Sequence, residues 1–130
     1  MQDRMTFALE YQGKIIGSLG VEGYNEDHYP ELARLHGREI GYVLSRDFWG
    51  RGLMPEAVRA VIDYLFIEVG LDFLLCCHYD WNLQTARVMD KCGFRPYRNA
   101  LHQTQFGTTE ASIERILFNP AGTATIQDQK

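Results

Sequence analysis

Gly50-Arg51-Gly52, running into Leu53, Met54, Pro55 and Glu56, is the stretch of this 130-residue chain whose residue types best suit chemistry. Glycines on either side of an arginine let the backbone turn sharply and approach a ligand closely. Pro55 fits the first position of a helix, where its missing N–H costs nothing, and Glu56 falls in the first turn, where the helix dipole favours an acid. The free backbone N–H groups of Gly50, Arg51, Gly52, Leu53 and Met54 would then converge near a helix N-terminus. With the cation of Arg51 beside them and Arg46 close by, they would form an anion site. A Gly-x-Gly by itself is more often a plain turn, so the surroundings decide.

Other reactive side chains are few. Cys76 and Cys77 are neighbours in an apolar run and so face opposite sides of a strand, and Cys92 stands apart. No Cys-x-x-Cys or His-rich spacing appears, which leaves no metal site and reads as three buried, reduced thiols in a cytoplasmic protein. A formal net charge of −4 argues against a nucleic-acid binder, while 45% hydrophobic residues suffice for a core. The most apolar stretch, Ala60 to Tyr79, is interrupted by Asp63, Glu68 and Asp72, so no membrane span is expected, and Met-Gln-Asp-Arg lacks the apolar core of a signal peptide.

The elements that must position the glycine turn follow from periodicity. Thr6 to Tyr11 and Ile15 to Val21, joined by Gln12-Gly13-Lys14, read as a hairpin. Gly23 to Arg38 is a loop with one helical turn near Glu31 to Leu35. Ile40, Tyr42 and Leu44 alternate with Glu39, Gly41 and Val43, a strand with one apolar face that ends at Ser45. Met54, Ala57, Val58, Val61, Ile62, Leu65, Phe66 and Val69 form one helical stripe, closed by Gly70. Phe73 to Tyr79 is apolar enough for a strand covered on both faces. Strand, helix and buried strand make a parallel crossover unit, whose ligands gather at the strands' C-terminal ends. A second helix spans Leu83 to Cys92, capped by Asn82 and ended by Gly93. Phe94 to Arg98 and Ala111 to Phe118 complete the strands.

In order and spacing, three features resemble the GNAT N-acetyltransferases, and within them the branch that acetylates ribosomal-protein N-termini. They are a strand into Phe48-Trp49-Gly50-Arg51-Gly52 with Glu56-Ala57 opening a helix, a buried strand, and Asn82-Leu83-Gln84-Thr85 leading to Lys91-Cys92-Gly93-Phe94. The likeness covers about Thr6 to Phe118. It implies an α/β (α+β) fold: a mixed, mostly antiparallel sheet with a central parallel strand-helix-strand unit and helices on both faces. Residues 1–118 would form a single acetyl-CoA-binding domain, with a flexible tail over 119–130.

The resemblance also implies acetyl-CoA as donor and a primary amine as acceptor, either a protein N-terminal α-amine or a small molecule. The coenzyme pyrophosphate would lie on the backbone of Gly50, Arg51, Gly52, Leu53 and Met54. The main chain of Val43, Leu44 and Ser45 would pair with the pantetheine arm, which Asn82 would also touch. Thr85 matches a hydroxyl of the ribosomal-protein branch, although as the third helical residue it could simply bond back to the cap. Glu39 is the candidate base, directly or through water, and His78 the second choice, although a histidine on a buried strand is more often structural.

The family's turn often opens with Gln or Arg where this chain has Asp47, and Arg46 is the nearest substitute. Where many GNAT enzymes carry a tyrosine that protonates the leaving thiolate, this chain has Met89. The strand and two helices that usually precede the hairpin have no counterpart before Thr6, which leaves the first strand at a sheet edge and makes a second copy of the chain a candidate partner. An inactive coenzyme-binding module, or a structural domain that binds nothing, are the alternatives.

Overall fold

The computed structural model describes residues 4–103 and 105–122. β1 (Met5–Tyr11) and β2 (Lys14–Glu22) form the expected antiparallel hairpin, and Gln12 and Gly13 take the positive φ angles that so short a connection demands. β3 (Gly37–Leu44) pairs antiparallel with β2 and parallel with β4 (Phe73–Tyr79). Between them lie a 3₁₀ turn, Arg46–Phe48, and the helix α1 (Leu53–Asp63). α2 (Leu83–Lys91), β5 (Arg95–Gln103) and β6 (Thr109–Phe118) follow. The six strands make one mixed sheet in the order β1-β2-β3-β4-β6-β5, parallel only at the β3–β4 seam.

The stripe read from the sequence forms the core. Met54, Val58, Val61, Ile62 and Leu65 pack with Val88 and Met89 of α2 against Leu19, Val21, Ile40 and Leu74 of the sheet. Burying each such side chain contributes about 1.5–3 kcal/mol. Both α-helices therefore share one face. The other face is covered not by α-helices but by the 3₁₀ turns Glu26–His28 and Pro30–Leu32, which set Tyr29 and Leu32 over Phe73, Leu75 and Ile116. Arg98 clamps these turns: its guanidinium lies 4.2 Å from the Tyr29 ring centre, and it donates to His28 O at 2.6 Å and to Glu114 at 2.8 Å.

Four boundaries differ from expectation. α1 begins at Leu53, so Pro55 is its third residue rather than its first; its missing N–H still falls among the four donors that have no intrahelical partner. After Asp63 the helix widens into a π-helical segment, Tyr64–Val69, whose end is closed by the N–H groups of Gly70 and Leu71 on Leu65 O. The wider turn shifts the phase, so Val69 is exposed and Leu71 takes its place in the core. β5 extends to Gln103, well past Arg98, because β6 pairs along it. The domain also continues past Phe118: Asn119 is buried, donates its amide to Leu71 O at 2.9 Å and accepts from Ala121 N–H at 3.0 Å. The rest of the expected tail, 123–130, lies outside the described residues.

Candidate functional site

The site arises where two halves of the sheet part. β3 and β4 are paired only at Gly37–Phe73, Arg38–Leu74 and Glu39–Leu75, whereas β3 stays paired with β2 to Leu44 and β4 with β6 to Tyr79. Beyond Glu39 the two halves diverge. Burial along β4 follows this: Phe73 to Cys76 are buried, then Cys77 and Tyr79 open to solvent while His78 stays covered. The expectation of a strand covered on both faces thus holds only for its first half, and Cys77 is exposed rather than buried.

The gap is a cleft of about 400 Å³, lined by Gly41, Tyr42, Cys77, Tyr79, Asn82 and Thr85 among others. A second cleft, of about 250 Å³, continues toward the glycine turn between Leu44, Trp49, Met54 and α2. Tyr42, Asn82 and Thr85 line both, so they mark the passage from one to the other.

At the turn, Gly50 and Gly52 have φ angles of 75° and 77°, and Gly52 precedes the first residue of α1. Glu56 N–H is the first to close the helix, on Gly52 O at 3.3 Å. Among the described residues the N–H groups of Gly52, Leu53 and Met54 make no hydrogen bond. A Cβ placed on Gly50 or Gly52 would meet no atom within 4 Å, so the space over these donors is open. The Arg51 guanidinium lies 5.0 Å from the Phe48 ring and that of Arg46 lies 5.5 Å from the Trp49 ring, which keeps both cations beside the turn. An anion would meet unpaired donors, a helix dipole and two positive charges here.

The end of β3 offers less main chain than expected. Ser45 N–H is bonded to Ile16 O at 2.8 Å, and antiparallel strands alternate the side to which their backbone groups point. Ser45 and Val43 therefore turn their backbone toward β2, and Leu44 and Tyr42 turn theirs toward the gap. The Leu44 carbonyl already accepts from Trp49 Nε1 at 2.9 Å.

α2 starts as read from the sequence: Asn82 Oδ1 accepts Thr85 N–H at 3.1 Å, a cap worth about 1 kcal/mol. Glu39 does not line the cleft but sits at the closed end of the gap, the last paired position of the β3–β4 seam. Glu22 pairs with Arg4 and Glu114 with Arg98, while Glu39 has no cation partner among the described residues. Burial first, then the charges of Glu22 and Glu114, push the Glu39 carboxyl above the usual range. His78 is fully committed. Arg115 Nε donates to its Nε2 at 2.9 Å, so the ring proton resides on Nδ1, which donates to Tyr79 O at 2.8 Å. Arg115 is in turn held by Asp90 at 2.7 Å. His78 lines the cleft, but both of its ring nitrogens are already bonded.

A family model described as an acetyltransferase (GNAT) domain matches residues 1–95. The chain belongs to the GNAT acetyltransferase family. It is 44% identical over 55 residues to the probable N-acetyltransferase YjcK of Bacillus subtilis (strain 168), a match covering 42% of this chain and 30% of that protein. It is 30% identical over 86 residues to the putative ribosomal N-acetyltransferase YdaF of the same strain, covering 66% of this chain and 43% of that one. The chain thus spans less than half the length of either relative. The crystal structure of the ribosomal-protein-S5-alanine acetyltransferase from Vibrio fischeri matches with a TM-score of 0.70 at 25% identity, over 84% of this chain and 57% of that chain.

In this GNAT domain Met89 is wholly buried in the core, so α2 presents no hydroxyl at that position. Two hydroxyls that sequence reasoning did not single out take part in the cleft instead. Tyr42 Oη and Ser112 Oγ are buried without a hydrogen-bond partner among the described residues, each costing about 1–3 kcal/mol. Thr85 is near enough to Tyr42 to counter part of the rise that burial causes in the phenol pKa, yet the two do not reach hydrogen-bond geometry. Tyr42 reads in sequence as one more apolar-face residue of β3, and nothing local signals that its hydroxyl falls in the gap. Among the described residues no helix is long and apolar enough to cross a membrane.

Proposed function

We propose that this domain is a cytoplasmic N-acetyltransferase that moves the acetyl group of acetyl-CoA to a primary amine by direct attack. The observation that carries this reading is the pair of clefts that share Tyr42, Asn82 and Thr85, one between β3 and β4 and the other bounded by Trp49 and Met54 at the glycine turn. Gly50 to Met54 would receive the pyrophosphate. The backbone of Tyr42 and Leu44, rather than that of Val43 and Ser45, and Asn82 would line the pantetheine arm. Acetyl-CoA supplies the activated acetyl group, and the chain supplies placement, where effective molarities reach about 10⁵–10⁸ M.

Glu39 would take the amine proton through a water molecule, since it lies below the cleft rather than in its wall. A carboxyl raised by burial is a stronger base near neutral pH than an ordinary one. An α-amine titrates near about 7.7–8.0 and a lysine near about 10.4, so an α-amine asks less of that base. YdaF is named a ribosomal N-acetyltransferase, which favours a protein N-terminus as acceptor over a small-molecule amine. Thr85 would stand beside the reacting groups. Although Cys77 is exposed, partial desolvation of its thiol pushes the pKa up, which disfavours a route through an acyl-cysteine. β1 forms one edge of the sheet, and pairing of that edge with a second copy is the assembly we favour; ultracentrifugation reads it directly.

The second reading, a coenzyme-binding module without turnover, is favoured by Met89 alone. Calorimetry with acetyl-CoA and thiol release with a panel of peptide α-amines, lysine and polyamines test both. Binding with amine-dependent thiol release is the expected result. Binding without release leaves the module, and no binding removes both readings.

A further inference from the structure

Of the three side chains shared by the two clefts, Asn82 spends its carbonyl oxygen on the helix cap, and the Thr85 hydroxyl is not among the buried groups left without a partner. Tyr42 is the one whose buried donor the protein leaves unused. Phenylalanine would fill the same space, so apolar packing does not call for this hydroxyl. Its place on β3 is telling. It stands past the seam with its backbone facing the gap, where the two clefts meet, and its neighbour on β2 is the apolar Leu19. A chain of atoms laid from the glycine turn into the β3–β4 cleft must pass it.

We propose that the Tyr42 hydroxyl donates a hydrogen bond to the thioester sulfur of the bound acyl-coenzyme as the carbon–sulfur bond breaks. This rests on the acetyltransferase reading above. In the step, the lone pair of the neutral amine forms the C–N bond and the C–S bonding pair goes to sulfur. The amine's proton passes through water to Glu39, and the released thiolate takes a proton from solvent. Tyr42 keeps its proton throughout. Burial raises its phenol pKa strongly, Cys76 and Cys92 add to the rise, and Thr85 and Arg115 oppose it. It therefore stays a donor across the working range and stabilises charge on sulfur without having to supply a proton. Met89 of α2 cannot fill this role, because it is buried and has nothing to donate.

The test is Tyr42→Phe in the full chain, read by the affinity for free coenzyme A between about pH 7 and pH 9.5. A free thiol ionises near about 8.5, and a donor aimed at sulfur favours the thiolate. Ionisation of Cys76, Cys92 and other groups near the site is common to both proteins and cancels in the comparison. Wild type should bind coenzyme A at most about twofold more tightly than the variant at pH 7 and at least about fivefold more tightly at pH 9.5. Turnover of the variant should fall at least about tenfold with an unchanged or higher Tm, a combination that a merely structural role would not produce. Superimposable affinity profiles, in a wild type that binds and turns over, overturn the role of Tyr42 alone. A wild type that binds no coenzyme A overturns the acetyltransferase reading together with it.

Discussion

Gly52→Ala separates the turn's part in folding from its part in binding. Gly52 holds φ 77° with nothing within 4 Å of a built Cβ, so alanine meets no clash and costs only the left-handed strain, about 1–2 kcal/mol. For a domain of this length that lowers Tm by roughly 4–10 °C. The new methyl would enter the open space beside the turn, next to the unpaired N–H groups of Gly52 and Leu53. Displacing one charge-assisted hydrogen bond costs about 1.5–3 kcal/mol, or roughly 10–150-fold in affinity. Gly70 is the matched control: its φ is 82°, it is equally open, and it lies at the far end of the helical segment. Gly70→Ala should lose a similar Tm and keep its coenzyme affinity. Calorimetry with acetyl-CoA on both folded variants is the assay. Equal affinities in the two, both near wild type, would refute the pyrophosphate assignment.

Glu39→Gln should lower turnover at least about tenfold while changing coenzyme affinity less than about threefold, and full turnover with a true acceptor would remove it as base. Its stability should move the other way. A carboxyl whose folded pKa is raised favours the folded state at acid pH and loses that contribution as pH rises through the folded value. The glutamine variant should therefore melt higher than wild type at about pH 8 and not at about pH 4, as thermal scans would show. Thr85→Ala keeps the backbone N–H that Asn82 caps, so it should retain coenzyme affinity and helix stability while turnover falls about threefold or more in steady-state assays. His78→Gln should cost about 1–3 kcal/mol in denaturant unfolding by disturbing the Arg115 network, with turnover within about threefold of wild type. Loss of turnover in a well-folded His78→Gln protein would return it to the chemistry.

Local signals were enough for the parts of this protein that depend on neighbours in sequence. The alternation of Ile40, Tyr42 and Leu44, the stripe from Met54 to Leu65, the Asn82 cap and the glycine stops at Gly70 and Gly93 each act within a few residues, and each is where periodicity and capping chemistry put it. The order of these elements around Gly50-Arg51-Gly52 was sufficient to suggest the GNAT family. What the tertiary structure decided are facts about partners distant in sequence. β3 leaves β4 after three residue pairs and opens the cleft beside Tyr42, whose hydroxyl is left unpaired, and the 3₁₀ turns that cover Phe73 and Leu75 leave Cys77 exposed. Arg115 reaches across 37 positions to occupy Nε2 of His78, which leaves that candidate base without a free ring nitrogen. Ile16 takes the Ser45 N–H and leaves the gap to Leu44 and Tyr42. Asn119, which reads as the start of a loose tail, is bound by the carbonyl of Leu71. A residue's type and near neighbours determine its backbone state, but whether its polar atoms are spent or free depends on which strand folds beside it.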